Sequence, residues 1–333
     1  MNHLCGSSIQ ASILFMNKPG VVLISTLFIV MVMSIISIQI SKSFFLSIQR
    51  DSYIDFKNYS LQLLLSSEKE AIKSIQKEII SSNKKLTNKD PVLNQNYFFS
   101  NELATIEVDV SDASNCFNLN SIFIKTGDNI QIKKDNQEWL KRLLRLEGVD
   151  TPDIESFVDQ LIDWVDLDNQ PLNFGAENYF YIGPLSSVNQ YTAKRLLNNL
   201  SEIKNFPALD QINFKKISNN LCVLPGISNQ LINVNTLNDS HKNLIAAFFD
   251  EENLEFIESQ ILDAPETGYD SANDFANKIS QSGLWPSQVL SINSKTLLIS
   301  TKIYNQTFSS ELESLVILDV SNSAKVLNRN FNF

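Results

Sequence analysis

The first regular feature of the chain is a stretch of twenty uncharged, mostly apolar residues, Val21–Ile40. Coiled as an α-helix, about 20 residues span the hydrocarbon core of a bilayer. Lys18, Pro19 and Gly20 stand directly before the stretch. A cleaved secretory signal has a shorter apolar region, with its small-residue cleavage site after it. We therefore predict a membrane-spanning helix over Val21–Ile40.

The helical pattern continues beyond the apolar stretch. No Pro or Gly occurs between Ser41 and Lys85, and apolar residues recur mostly three or four positions apart, as on one face of a helix. Among them are Leu61, Leu64 and Leu65. We predict one long helix whose outer half packs against a globular domain and which ends in the polar segment 82–91.

The hydrophobic period then changes twice along the chain. Alternation with period two predicts strands early and late in the chain, at 105–110, 116–119, 289–292, 296–304 and 313–320. Between them the period is helical, and it predicts helices near 135–146, 152–165, 192–197, 209–217, 240–249, 254–262 and 272–281. Strands that flank a helical block of this length favour an α+β fold, a small helix-plus-sheet domain with an all-α insertion.

The charge balance limits the classes of ligand. The chain has 37 acidic and 27 basic residues, a formal net charge of −10, which repels nucleic-acid phosphates and favours cations. Leu221–Ile227 resembles the LPGI hairpin of helix-hairpin-helix DNA-binding proteins, but no Lys or Arg lies between Leu221 and His241. We interpret the segment as a structural turn and expect no nucleic-acid partner.

Cysteine and histidine usage argues against zinc binding and nucleophilic catalysis. The chain has three cysteines without a CxxC pair, and its histidines are His3 and His241. Cys116 and Cys222 are interpreted as two buried thiols, with a disulfide in an oxidising compartment as the alternative. No Ser or Cys motif surrounds His241, and no pair of carboxylates is singled out. We therefore expect no enzymatic activity.

One group of acids is a candidate metal site. Asp166, Asp168 and Glu177 fall at the first, third and twelfth positions of an EF-hand frame, but Pro171 replaces the glycine required at the sixth. The segment is therefore no EF-hand. Carboxylates at this spacing still predict a calcium loop of another shape, against the alternative of a helix end with solvated acids. Further predicted donors are Asp163 and Asn169.

Several segments together resemble the type II secretion system protein K (GspK) family of minor pseudopilins. The layout around Gly20 resembles a prepilin leader, in which glycine precedes the apolar helix. The other matching segments are DASNCFNLN at 112–120, DWVDLD at 163–168 with GAE at 175–177 and YFY at 179–181, SEIK at 201–204, and LP at 224–225 with INVNT at 232–236. In order and spacing they extend over nearly the whole chain.

The resemblance implies a pilin-like domain that carries an inserted helical domain. It divides the chain into a leader (1–20), a transmembrane and assembly helix (21–40), a first pseudopilin part (41–125), the insertion (126–284) and C-terminal strands (285–333). It also implies a single-pass protein of the bacterial inner membrane with its body in the periplasm. There it would sit at the tip of the type II secretion pseudopilus and support assembly and protein export across the outer membrane.

The implied partners are the other minor pseudopilins, the major pseudopilin and the inner-membrane secretion platform. Two alternatives remain open, a minor pilin of a type IV pilus and a membrane-anchored calcium-dependent binding module.

Cleavage after Gly20 would make Val21 the first residue, which is a candidate for methylation. Ser25 would then be fifth, where most pilin-like subunits carry a glutamate that pairs with a neighbouring subunit. Residues predicted to extend the assembly seam are Phe44, Phe45 and Ile48.

Overall fold

The computed structural model describes residues 19–82, 85–94, 97–100, 104–127, 129–184, 190–227, 229–280, 288–294, 296–318 and 324–332. Most of the predicted leader, residues 1–18, lies outside the described residues, as does the predicted domain limit at 284. Internal contacts divide the chain into two units, Met1–Tyr59 and Ser60–Phe333. The domain limits expected from the sequence stay a prediction.

The first unit contains most of helix α1, which runs from Pro19 to Ser82. The long helix expected from the absence of Pro and Gly is therefore confirmed. All side chains from Gly20 to Asp55 are exposed. By length and composition α1 is long and apolar enough to cross a membrane.

The second unit combines short helices with strands. Its further helices are α2 Pro91–Asn94, α3 Lys134–Leu146, α4 Thr151–Val165, α5 Asn178–Tyr181, α6 Phe214–Ser218, α7 Lys242–Phe249, α8 Leu254–Leu262 and α9 Ala272–Ile279. Its strands are β1 Tyr97–Ser100, β2 Thr105–Asp112, β3 Phe117–Asn118, β4 Phe123–Thr126, β5 Asn129–Ile132, β6 Leu221–Cys222, β7 Ile232–Asn233, β8 Leu290–Ser291, β9 Thr296–Tyr304, β10 Ser309–Leu318 and β11 Ala324–Asn332. Turns of 3₁₀ helix occupy Leu119–Ile122, Leu200–Asn205, Pro207–Asp210 and Asp239–His241.

Five strands form an antiparallel sheet in the order β1-β2-β9-β10-β11. In this sheet β2 lies beside β9, and Asp112 at the end of β2 pairs with Leu297. The chain therefore leaves the sheet at Asp112 and returns to it at Thr296. The residues between carry the helices α3–α9, so the α+β class predicted from the two changes of period is confirmed.

The sheet buries one face against the C-terminal part of α1, which belongs to the second unit. Alternate residues of β9, among them Leu297, Ile299 and Ile303, are fully buried, as expected for a strand with one face in a core. Leu297 and Ile299 join Val316 of β10 and Ile75 of α1 in one hydrophobic cluster. The strand predicted over 296–304 matches β9, whereas β11 was not predicted. Asparagines and charged residues interrupt its apolar pattern, which is typical of an edge strand.

The helical part has its own hydrophobic cluster, whose buried members run from Phe117 to Leu290. At its centre the Trp139 ring lies edge-on to Phe117, with centroids 5.0 Å apart, and 4.6 Å from the ring of Phe248. The predicted helices over 135–146, 152–165, 240–249 and 254–262 have counterparts in α3, α4, α7 and α8. Since Gln281 lies outside the described residues, the last predicted helix is seen as α9 up to Ile279.

Two predicted helices are wrong. Residues 192–197 form an irregular loop, because distant groups take the hydrogen bonds of its backbone. Thr192 N donates to Asn178 Oδ1, Lys194 N donates to Trp164 O, and Leu197 pairs with the buried Asn120 amide. Asn120 Oδ1 accepts from Leu197 N at 2.9 Å, and its Nδ2 donates to Leu197 O at 2.9 Å. The helix expected over 209–217 is split, since Asn213 caps α6 by accepting from Lys215 N. A 3₁₀ turn at Pro207–Asp210 precedes that break.

Cys116 and Cys222 form a disulfide, with their Cα atoms 5.7 Å apart. The interpretation as two buried thiols is therefore wrong. The two residues are 106 positions apart in sequence, and it is the parallel pairing of β3 with β6 that brings them together. The register of such a pair is set by tertiary packing, which no local pattern reveals.

Candidate cation site

The candidate site is built at the end of α4. This helix starts at Thr151 with Pro152 in its first turn and ends at Val165. Asp163 lies in its last turn and is fully buried. Both of its carboxylate oxygens accept a hydrogen bond from Leu172 N at 3.2 Å. The loop after α4 therefore folds back over the end of the helix.

Gly175 allows the close approach of this loop to the helix. A Cβ atom at position 175 would lie 1.8 Å from Asp163 Oδ2 and 2.6 Å from Asp163 Cγ, which is far inside van der Waals contact. Glycine is therefore required here for space. Two residues later Glu177 caps α5, and its carboxylate accepts from Asn178 N at 3.3 Å.

Three of the five predicted donors converge. One carboxylate oxygen from each of Asp166, Asp168 and Glu177 lies within 4.8 Å of the others. Asp163 lies outside this group. Asp163 is held by the loop backbone as described, and Asn169 Oδ1 accepts from Asn178 Nδ2 at 3.3 Å. The structure thus groups the three residues that the EF-hand frame aligns.

Burial and mutual repulsion disfavour the ionised forms of Asp163, Asp166 and Glu177. Burial first, and then the charges of Asp168, Glu177 and Asp163, raise the pKa of Asp166 to about 7. Burial raises the pKa of Asp163 to about 6, and it also raises the pKa of Glu177. Each negative charge that forms here is repelled by its neighbours, and a bound cation would offset that repulsion.

Two oxygens of the cluster have no donor in the described part of the chain. Asp166 Oδ1 and Glu177 Oε1 are buried and accept no hydrogen bond from a described residue. Most buried polar atoms in proteins have a partner, so each such oxygen calls for one. An oxygen-seeking divalent cation such as Ca²⁺ satisfies several carboxylates at once. The donor set therefore fits calcium.

Lys194 belongs to the site although the sequence did not point to it. Its Nζ donates to Asn169 Oδ1 at 2.6 Å and also to the backbone oxygen of Asp168. The pattern over 192–197 predicts a helix and therefore gives no sign that Lys194 reaches the site. A single lysine 26 positions after Asp168 carries no local signal.

The predicted assembly residues lie on the exposed part of α1. Phe44, Phe45 and Ile48 are 68%, 59% and 48% exposed. Ser25 Oγ donates to Val22 O at 2.9 Å, within its own helix. A hydroxyl satisfied in this way is compatible with an apolar environment, where an unpaired polar group is costly.

Gly20 lies in the first turn of α1 in open space, since no described atom comes within 4 Å of the position a Cβ would take. The helix gains nothing from glycine here, and Gly costs about 1 kcal/mol relative to Ala inside a helix. Packing among the described residues therefore does not explain the glycine.

The family model and the curated relatives that match this chain carry the same description. Residues 115–226 match the family model described as type II secretion system (T2SS), protein K. The type II secretion system protein K of Klebsiella pneumoniae is 32% identical over 171 residues, which are 51% of this chain and 51% of that protein. That of Pectobacterium carotovorum subsp. carotovorum is 26% identical over 204 residues, 58% of this chain and 60% of that protein. The chain thus aligns with about half of these relatives' length.

A solved structure has the same fold. It belongs to the GspK-GspI-GspJ complex from the enterotoxigenic Escherichia coli type 2 secretion system. The superposition has a TM-score of 0.72 and covers 85% of this chain and 99% of that chain, at 21% sequence identity. Similarity at this level of identity concerns the fold.

Proposed function

We propose that this chain, which belongs to the family of type II secretion system protein K, is a minor pseudopilin at the tip of the secretion pseudopilus. In this proposal Val21–Ile40 anchors it in the bacterial inner membrane, with its body in the periplasm. It supports assembly of the pseudopilus and thereby protein export across the outer membrane. Its chemistry is assembly, with no turnover of a substrate.

One observation carries the proposal. In a chain of this family, α1 presents more than thirty consecutive exposed residues from Gly20, among them the large apolar side chains of the predicted anchor. Val21, Leu27 and Phe28 are 59%, 62% and 65% exposed. An apolar surface of this length is unstable in water, so it requires lipid or other apolar helices. A membrane anchor that packs with sibling helices provides both.

The partners are proposed from the solved relative, which is named as part of a complex with GspI and GspJ. We infer that sibling minor pseudopilins, the major pseudopilin and the inner-membrane platform are the partners here. Phe44, Phe45 and Ile48 would extend the seam beyond the bilayer. Ser25 cannot offset the amino-terminal charge of another subunit, a property compatible with the tip, where no subunit lies above.

The test of this proposal is complex formation. The full chain in detergent, co-expressed with sibling pseudopilins, should elute from size exclusion as a complex. Leu65 of α1 is 38% exposed, and Leu65→Asp should weaken the complex because a charge would enter an apolar seam. Leu262→Asp is the matched control, since it introduces the same charge at a leucine that is 67% exposed and belongs to α8 instead of α1. If the chain elutes as a monomer with each sibling tested, the result favours the binding-module alternative. If it instead assembles with pilus subunits, the result favours a minor pilin.

We also propose that Asp166, Asp168 and Glu177 bind calcium, with Asp163 and Asn169 as supporting donors. The two buried oxygens without a donor, Asp166 Oδ1 and Glu177 Oε1, support this assignment. Bound calcium would neutralise the cluster and tie the end of α4 to the start of α5. Calorimetry on the chelator-treated protein tests it, and absence of calcium uptake would leave the acids as a polar turn.

A further inference from the structure

Lys194 places its ammonium group on the oxygens beside the acidic cluster. Nζ donates to Asn169 Oδ1 at 2.6 Å, to Leu167 O at 3.4 Å and to the backbone oxygen of Asp168. Carbonyl and amide oxygens are the donors that calcium uses together with carboxylates. The lysine therefore occupies oxygens that a divalent cation bound at Asp166, Asp168 and Glu177 could use.

The backbone of Lys194 is fixed in an uncommon conformation. Its φ is +49°, in the left-handed region, which non-glycine residues rarely adopt. Its N–H donates to Trp164 O at 3.0 Å, in the last turn of α4. A costly conformation persists where surrounding contacts determine it. Here they hold the side chain against the same helix end that carries Asp163 and Asp166.

The charge of Lys194 acts on the cluster as well. Its positive charge favours the ionised forms of Asp166 and Glu177 and so counteracts part of the rise in their pKa values. A positive charge near a cation site also repels a second cation, since charges a few ångströms apart interact strongly at the effective dielectric of a protein surface. Both the position and the charge of Lys194 therefore set it in competition with a bound cation.

We propose that Lys194 is a tethered counter-cation that calcium displaces from the oxygens of Asp168 and Asn169. This inference rests on the calcium site proposed above. In the metal-free state the ammonium group partly neutralises the acids and holds segment 190–195 against the end of α4. On binding, calcium takes over these oxygens and the lysine side chain moves to solvent. Lys194 thereby sets the affinity of the site and couples cation binding to this segment.

The experiment compares calcium titrations by calorimetry on the full chain in detergent after removal of metal. Lys194→Gln should bind calcium roughly three- to tenfold more tightly than the wild type, because one competing charge is gone. Lys194→Arg keeps the charge and should bind within about twofold of the wild type. Lys215→Gln, at an exposed position of α6, makes the same change of net charge away from the site and should leave the affinity unchanged.

Thermal unfolding gives a second readout. In chelator Lys194→Gln should melt below the wild type, since the acids lose their counter-charge, and saturating calcium should remove or reverse that difference. If the wild type takes up calcium but Lys194→Gln binds it equally or less tightly, the role of Lys194 is overturned and the site stands. If neither protein takes up calcium, both proposals are overturned. Should Lys194→Gln not fold, Lys194→Asn replaces it, since asparagine tolerates the left-handed region.

Discussion

The Asp112 carboxylate accepts a hydrogen bond from Thr236 Oγ1 at 2.5 Å, although the two residues are 124 positions apart in sequence. Asp112 ends β2, where the chain leaves the sheet, and Thr236 lies in the helical part. Ser114 N and Asn233 Nδ2 donate to the same carboxylate, at 2.9 and 3.2 Å. Ser294 Oγ, just before the chain returns at β9, donates to it as well. One carboxylate thus joins the sheet to both ends of the helical part.

Replacing this carboxylate should therefore destabilise the fold. Asp112→Ala leaves several donors without an acceptor, and each buried unsatisfied group costs about 1–3 kcal/mol, so we expect a loss of about 2–4 kcal/mol in the free energy of unfolding. Urea denaturation followed by circular dichroism measures it. Asp109→Ala, at an exposed position of the same strand, is the control and should change the free energy by less than about 0.5 kcal/mol. Equal effects of the two substitutions would contradict the joining role of Asp112.

A second prediction concerns the ion pair between α1 and the edge strand β11. Glu68 is 3% exposed, and the Arg329 guanidinium donates to it from Nε at 2.9 Å and Nη2 at 2.9 Å. Arg329→Met leaves the carboxylate buried without its partner, which should cost about 2 kcal/mol, less than for a fully buried pair because the arginine side chain is 42% exposed. Thermal unfolding measures the loss.

The double variant Glu68→Leu with Arg329→Met should recover part of that loss, since no charge is then left buried. Lys325→Met on the same strand removes a positive charge without touching Glu68 and serves as the control. A similar loss with Lys325→Met would mean that charge on β11 in general, and not this pair, stabilises the packing of α1.

A third prediction concerns calcium and stability. A ligand that binds the folded state alone stabilises it by about 2.7 kcal/mol at a hundredfold excess over its dissociation constant. The melting temperature, followed by tryptophan fluorescence, should therefore fall in EGTA and recover with calcium. Asp168→Ala should abolish the difference while leaving the EGTA melt nearly unchanged or slightly raised, because one repelling charge is gone. Asp210→Ala, an exposed acid elsewhere, should retain the full calcium response.

A fourth prediction concerns pH. The folded pKa values of Asp163 and Asp166 are raised to about 6 and about 7, above their ordinary value. Groups with a raised folded pKa contribute stability at low pH that is lost as the pH rises through that value. The metal-free melting temperature should therefore fall between about pH 5 and pH 8. Calcium affinity should rise over the same range, because the ligands must be ionised.

Saturating calcium should reduce this fall, and Asp166→Asn should flatten part of it in the metal-free protein. A metal-free melting temperature that rises steadily from about pH 5 to pH 8 would show that these acids are not held in the raised-pKa state that burial produces.

A fifth prediction concerns processing. A prepilin peptidase should cut after Gly20, so that mass spectrometry of the membrane-extracted protein finds Val21 as the first residue, with or without a methyl group. Gly20→Val should block the cut, whereas Gly6→Val in the leader should not. Since no described atom lies near the missing Cβ of Gly20, Gly20→Val should leave the fold of the body unchanged. An intact Met1 on the wild type in peptidase-positive cells would refute the site.

Elements with a local pattern can be predicted from the residues alone. The long helix α1, strand β9 and helices α3, α4, α7 and α8 follow from hydrophobic periodicity, which reports on which face each element buries. The convergence of Asp166, Asp168 and Glu177 was also predicted, because all three lie within one short loop. Close spacing along the chain limits how far apart such side chains can be.

Features that depend on distant partners become visible only in the folded chain. The Cys116–Cys222 disulfide, the edge strand β11 and the contact of Asp112 with Thr236 each join segments more than a hundred residues apart or rely on sheet order. The loop at 192–197, and with it the position of Lys194, arises because distant groups take its backbone hydrogen bonds: Trp164 O accepts from Lys194 N, and Asn120 pairs with Leu197. A segment with a helical pattern does not form a helix where groups distant in sequence satisfy its backbone N–H and C=O groups. Local periodicity does not reveal such partners.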